Sequence, residues 1–379
     1  PHQPMTPDIL YRVALTMVPN IGPVQAKFLL QCCEPEEIFH AKKRFLEKIE
    51  GIGPVKAQSI RDFNHFSRAE KEIRFMEKYR ITPLFLTDEN YPRRLLNCYD
   101  SPTLLYYKGN ANLNVPRVIN IIGTRNNTDY ARQVTEKLVK ELVSNKVTIM
   151  SGLAFGVDAL AHKAALKNGL PTIGVLAHGL DKMYPPEHAA LAKDMIAQQG
   201  GLLTEFRSGT KPDKHHFPSR NRVVAGCCDA TIVIETDLKG GSMITAELAN
   251  RYNRDVFAIP GRIHDLKSAG CNYLISTNKA QLLQSAGDLL QFMGWEDDIE
   301  ENPGKGKKKG RAKVQKEAFN ELSRDEKAVI AILKEKETVH IDELNFRSGL
   351  SNGAVAAAIL RLELENVIVS LPGKIYRLS

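Results

Sequence analysis

Four glycine-bearing turns each follow a short apolar run: Gly123-Thr124-Arg125, Ser151-Gly152-Leu153-Ala154-Phe155-Gly156, His178-Gly179-Leu180-Asp181 and Lys239-Gly240-Gly241-Ser242. A turn between a strand and a helix presents backbone N–H groups at the positive end of the helix dipole, which suits a phosphate. Arg125 adds a planar fork of donors for phosphate oxygens. In an open α/β sheet such turns gather beyond the carboxyl ends of the strands, so four together mean more than any one. Between the third and fourth lies KPDKHHFPSRNRVVAG, residues 211–226, where Lys211, Lys214, Arg220 and Arg222 surround a single aromatic, Phe217. Cations for a backbone and a flat ring for a base are what single-stranded nucleic acid requires. Pro212 and Pro218 mark this stretch as a loop. The opposite reading tucks Phe217 into the core and pairs the arginines with surface acids.

The usual cofactors do not fit these turns. None reads G-x-G-x-x-G with an acid downstream, and no G-x-x-x-x-G-K-[ST] occurs, so neither a nicotinamide cofactor nor a P-loop nucleotide is expected. The six cysteines include the pairs Cys32-Cys33 and Cys227-Cys228 but no C-x-x-C, and His215-His216 lacks a further ligand at metal spacing. Buried, reduced thiols and no metal are expected. No run approaches the roughly 18 apolar residues of a membrane span, and no signal peptide opens the chain, so a cytoplasmic protein without membrane contact is expected. The opening PHQPMTP leaves Met5 as a candidate natural start. A formal charge of +8 suits a polyanionic partner.

The chain's 379 residues leave room for two or three domains to position these groups. From residue 81 to 295, VINIIG, VTIMSG, TIGVLAHG, GLLTEF, ATIVIET and DVFAIPG alternate with amphipathic stretches at 129–144, 157–168, 186–199 and 243–253. Continuous Val/Ile/Leu runs fit strands covered on both faces, and the alternation predicts an extended Rossmann-like, doubly wound α/β sheet. Residues 1–80 read as helical and contain a repeat, VPNIGPVQAKFLL answered by IEGIGPVKAQSI, with Gly22-Pro23 and Gly53-Pro54 each opening a helix. Here glycine supplies the tight turn, and the pattern resembles paired helix-hairpin-helix (SAM-like) motifs, whose turn amides can hold a DNA phosphate. Residues 296–316, EDDIEENPGKGKKKGRAKVQK, lack large apolar groups and read as a flexible charged linker. Residues 317–379 give three helices and a hairpin turning at Pro372-Gly373, the order of a winged helix. Ser323 and Glu326 form a capping box on the first helix and Ser351 caps the third. That third helix offers Asn352, Ala354, Ala357 and Arg361 beside Glu363 and Glu365, poor equipment for reading DNA.

IIGTR, SGLAFGVDALAH, GLDKMYPPEH, FPSRNRVVAG, KGGSMITAELA and AIPG…SAGCNYLI, in this order, resemble the DNA-processing protein A (DprA/Smf) family, and YPRRLLNCYDSPTLLYYKGN is similar to that family's lead-in. The resemblance covers about residues 80–290. It implies a Rossmann-like domain that binds single-stranded DNA, forms a homodimer and loads RecA recombinase in natural transformation, with no catalysis. By position, it implies that Arg125 grips phosphate, that Gly123, Thr124, Ser151 and Gly152 line the pocket, that Lys214 holds the backbone and that Phe217 meets a base. Lys211, Arg220, Arg222, Gly240, Gly241 and Ser242 complete the expected DNA-binding set.

Two rivals remain. KGGSMITAE looks like an altered P-G-G-x-G-T-x-x-E motif of nucleoside-monophosphate phosphoribohydrolases: Gly240 and Glu247 keep their separation, but Met243 and Ile244 replace the Gly-Thr that would cradle phosphate. In that reading the chain is an enzyme; in ours Glu247 caps or pairs within its helix. A third reading confines DNA affinity to the N-terminal helices and the linker, leaving Arg125 dispensable.

Overall fold

Short Val/Ile-rich strands covered on both faces build the centre of one nine-stranded sheet, ordered β1-β2-β6-β5-β4-β3-β7-β8-β9. The structure is a computed structural model that describes residues 7–296, 323–336, 338–364, 367–371 and 375–378. The six expected runs form β3 (Val118–Ile122), β4 (Thr148–Ser151), β5 (Thr172–Val175), β6 (Gly201–Thr204), β7 (Ala230–Val233) and β8 (Asp255–Ala258), all parallel. β9 (Gln281–Leu282) extends the parallel set at one edge. β1 (Thr82–Phe85) and β2 (Leu104–Gly109) close the other edge as an antiparallel pair, with β2 antiparallel to β6.

Alternation along β3 sends Ile119 and Ile121 towards α8 (Asp129–Glu141) and α9 (Val157–Lys167), while Val118 faces the opposite core with Val223 and Val224 of α11 (His216–Gly226). The chain runs outward from β3 through β4 and β5 to β6, then returns to lay β7 on the free side of β3. The crevice between the carboxyl ends of β3 and β7 is therefore the topological switch point, where such sheets bind ligands.

The first helices are α1 (Pro7–Leu15), α2 (Pro23–Cys32), α3 (Pro35–His40), α4 (Lys43–Leu46), α5 (Pro54–Arg61) and α6 (Phe66–Tyr79). Pro23 and Pro54 occupy first helical positions, where a missing N–H costs nothing. The turn chemistry differs from expectation. Gly22 and Gly53 have φ of −93° and −79°, and the left-handed residues lie two positions earlier, Asn20 at 64° and Gly51 at 71°. In this repeat the tight turn is made by Asn20 and Gly51. The helical core of Leu29, Ile38, Leu46, Ile60 and Ile73 continues into Phe85, Leu104 and Tyr106 of the edge strands. Polar ties reinforce that junction: Arg12 pairs with Asp88 at 2.9 Å, and the buried Glu72 carboxylate accepts the Ser208 N–H at 2.9 Å and its hydroxyl at 2.5 Å. The described residues up to 296 form one compact unit.

The second unit has α15 (Arg324–Glu335), α16 (Ile341–Ser348) and α17 (Asn352–Leu364) against a small sheet in the order β10 (Val339–His340), β12 (Ile375–Leu378), β11 (Ile368–Leu371), a winged-helix arrangement. The Ser323–Glu326 capping box and the Ser351 cap are both present. Arg361, the one arginine expected on the third helix, pairs with buried Glu326 at 3.4 Å. The turn at Pro372-Gly373, Glu365 and linker residues 297–316 lie outside the described residues. Among the described residues no helix is long and apolar enough to cross a membrane.

One buried group makes the α/β unit acid-sensitive. His162 of α9 has its Nδ1 2.6 Å from the Thr172 hydroxyl, which donates its own proton to the Ile149 carbonyl. Nδ1 must therefore donate, and the ring is neutral; burial pushes its pKa down to about 3. With an unfolded value near 6.5, this contribution to stability is present above pH 6.5 and lost as pH falls towards 3. At ~1.36 kcal/mol per unit, the step from pH 6.5 to 5 costs about 2 kcal/mol. His162→Gln, which cannot titrate, is expected to lose clearly less thermal stability between pH 7 and 5 than the intact chain; equal losses would contradict this assignment.

Candidate nucleic-acid interface

The Gly-Thr-Arg turn is held rigidly from below. A Cβ on Gly123 would stand 2.6 Å from Val157 Cγ2 and 2.8 Å from the Glu235 carbonyl, so glycine lets β3 end against both α9 and β7. The Thr124 N–H donates to the Glu235 carbonyl at 2.7 Å, and the Thr124 carbonyl accepts from Val157 N–H at 3.2 Å. Gly156, at φ +78°, lies against that carbonyl, and a Cβ there would overlap it. With the backbone fixed, the Arg125 side chain is left exposed.

Glu235 was missed in the sequence. Its buried carboxylate accepts the Thr128 hydroxyl at 2.7 Å and N–H at 2.9 Å, at the start of α8. The Glu235 carboxylate thus already serves the α8 terminus, and Thr124's amide is spent on the Glu235 carbonyl just past β7. In the first turn the Thr124 amide is engaged and the Arg125 side chain is left without a hydrogen bond or ion pair among the described residues. Free amides occur instead at α12 (Gly241–Arg251), whose first N–H groups, Gly241 and Ser242, have no intrahelical partner.

A cleft of about 550 Å³ opens over the switch point. Of the expected residues, Gly123, Thr124, Arg125 and Gly152 line it from one side. Lys214, Phe217 and Arg220 line it from the α11 side, and Gly240, Gly241 and Ser242 close it. The Ser242 hydroxyl is occupied by Thr236 Oγ1 at 2.7 Å, so this residue offers its backbone. Lys214 is exposed with no side-chain hydrogen bond or ion pair among the described residues. Arg125 likewise has neither; its guanidinium sits 5.2 Å from the centroid of the Phe217 ring.

Phe217 is not in a loop. Residues 216–226 form α11, and Pro218 falls in its first turn, where the missing N–H has no helical acceptor. The helix separates the two arginines, because residues two apart face different ways. Arg220 turns to the cleft floor: it lies over Gly152, donates to the Gly152 carbonyl and to the Val175 carbonyl at 2.6 Å, and stands 5.9 Å from the Phe217 centroid. Burial pushes its pKa down to about 10, with Asp158 opposing, so it remains a cation at neutral pH. Arg222 turns inward to the Glu205 carboxylate and the Asp100 carbonyl and does not line the cleft.

Two more expected residues are absent from the cleft. Ser151 is fully buried with its hydroxyl on the Ile121 carbonyl at 2.6 Å, and Lys211 is exposed outside the lining. The His178-Gly179 turn is also displaced: His178 borders a neighbouring recess. Asp237, not singled out in the sequence, is the one acid besides Asp158 in the lining; it caps the Lys239 N–H at 2.8 Å. Glu247 stands outside the cleft and pairs with Lys279 at 3.2 Å, beyond its own helix.

Fold and cleft define a Rossmann-like α/β protein with a cationic switch-point cleft, joined to helix-hairpin-helix and winged-helix elements. The family model for DNA recombination-mediator protein A matches residues 82–294, that for the DprA winged helix domain residues 315–374, and that for a SAM-like helix-hairpin-helix tandem residues 13–63. Protein Smf of Synechocystis is 33% identical, the alignment covering 97% of this chain and 98% of the relative. DNA processing protein DprA of Streptococcus pneumoniae is 43% identical over 56% of this chain and 75% of its own. The X-ray structure of the Streptococcus pneumoniae protein matches with a TM-score of 0.63 at 34% identity, covering 76% of this chain and 98% of that one. A structure of DNA processing protein A from Helicobacter pylori, described for its single-stranded DNA binding mode, matches at 0.51 and 34%, covering 56% and 95%. The chain belongs to the DprA/Smf family of DNA recombination-mediator proteins.

Proposed function

We propose that this chain is a sequence-independent single-stranded DNA-binding protein that acts without catalysis, and that its homodimer protects incoming DNA and loads RecA in the cytoplasm during natural transformation. The observation that carries the reading is the pairing of an unpartnered Arg125 with Phe217 beside Lys214, at the switch-point cleft. A guanidinium and an ammonium supply charge for phosphates, and a ring supplies a face for any base. The Helicobacter pylori relative, described for binding single-stranded DNA, supports the same assignment. The hydrolase reading loses its candidate acid, because Glu247 is engaged by Lys279 outside the cleft.

Sequence independence is tested with oligo-dT, oligo-dA and mixed strands of one length. Affinities within a few-fold of one another at a fixed salt concentration are expected, since stacking and phosphate contacts tolerate every base. A preference of a hundredfold for one sequence would contradict the proposal. The recombinase step is tested by adding the full chain to strands coated with single-strand-binding protein and following RecA-dependent ATP hydrolysis. Stimulation is expected, and its absence at saturating protein would remove that part of the reading.

A further inference from the structure

Beside the cleft, on the other side of Arg125 and Phe217, lies a shallow recess with an aliphatic floor that includes Leu153, Leu176 and Pro185. Its rim carries two aromatics that the cleft does not use, Phe155 and Tyr184, which are 44% and 47% exposed. Both are held in place by buried histidines. Phe155 meets the His188 ring edge-on at 4.9 Å, and His188 Nδ1 pairs with the Leu153 carbonyl at 2.9 Å. The Tyr184 N–H donates to His178 Nε2 at 3.2 Å, and its ring lies 6.5 Å from that of Phe217. No carboxylate lines the recess.

Cleft and recess share a wall made of Arg125, Gly152, Ala154, Phe217 and Arg220. In a single strand every phosphate lies between two bases. A phosphate held by Arg125 on the shared wall therefore directs one base to each side. We propose that Phe155 and Tyr184 form a second base subsite, taking the unpaired nucleobase next to the one that meets Phe217. The subsite rests on the single-strand reading of the cleft. It accepts any base, since every base has a π face. It excludes a duplex, whose bases are already stacked on both sides, and so adds to single-strand preference without adding sequence preference.

The test uses the full chain, labelled oligo-dT, and a strand of equal length in which every base is replaced by an abasic tetrahydrofuran unit. Phe155→Leu and Tyr184→Leu keep apolar bulk and remove the flat faces. Together they are expected to weaken oligo-dT binding about 10-fold or more while leaving the abasic strand and the salt slope unchanged. Phe155→Trp in the Tyr184→Leu background is expected to recover much of the loss. The subsite is overturned if oligo-dT affinity does not change, or if both strands weaken equally. Arg125→Ala in the same assay separates the two claims: it is expected to weaken both strands. If it weakens neither, the cleft is not the DNA site and the subsite falls with it.

Discussion

Arg125→Ala is expected to weaken oligo-dT binding by about 10- to 100-fold, with thermal stability nearly unchanged. The side chain is exposed, has no hydrogen bond or ion pair among the described residues, and lies over the Phe217 ring. Its removal therefore breaks nothing that holds the turn, which is fixed through Thr124, Val157 and Glu235. A hydrogen bond to a charged group contributes ~1.5–3 kcal/mol, which gives the stated range. Loss of one phosphate contact also shrinks the salt slope by about 0.7. Arg125→Lys should fall between, because it keeps the charge and loses the fork and the stack. Anisotropy titrations across a salt series check both quantities, and unchanged affinity would remove Arg125 from the interface.

Arg222→Ala should behave in the opposite way, costing stability while sparing the cleft. Arg222 and Glu205 form an ion pair with side chains only 13% and 14% exposed, and Arg222 also holds the Asp100 carbonyl. Removing one partner of a buried pair costs ~3 kcal/mol or more, which for a body of this size is about 5 °C or more of melting temperature. The loss carries a pH signature. Burial already pushes Glu205 up to about 7, with Arg222 pulling it down. A carboxyl whose folded pKa lies above its unfolded one contributes stability below the unfolded value and loses it as pH rises through the folded value. Without Arg222 the folded pKa climbs further, so the deficit against the intact chain should widen from pH 6 to 8. Glu205→Gln in the variant should recover part of it. A normal melting temperature with weakened DNA binding would place Arg222 on the DNA instead.

Arg222 and its neighbour Arg220 also mark where the sequence stops being legible. FPSRNRVVAG shows its charges, but Pro218 reads as a loop signal until the helix around it is known, and only the helix sends Arg220 and Arg222 to different faces. The parallel strands were readable because runs such as VINII and ATIV are covered on both sides and must be apolar throughout. β1 at one edge and the two-residue β9 at the other lack that signal. The glycine turns were readable as a group, but not their division of labour. Gly123 and Gly156 permit close backbone packing, while Gly241, where an added Cβ would meet nothing within 4 Å, opens α12 beside the cleft. Glu235 closes an apolar run and shows nothing in sequence of its bond to Thr128, a hundred and seven positions away.

The central claim is that a single strand binds at the sheet's switch point and not at the N-terminal hairpins. Its most direct test is a salt-series titration of the full chain with oligo-dT and with a duplex of equal length, repeated for Arg125→Ala and for the charge reversal Lys43→Glu with Lys56→Glu beside the second hairpin. The account predicts tighter binding of the single strand, a salt slope of several phosphates at about 0.7 each, a clear loss with Arg125→Ala and little change with the reversal. Normal binding by Arg125→Ala together with loss on the hairpin reversal would contradict it and move the site to the N-terminal helices.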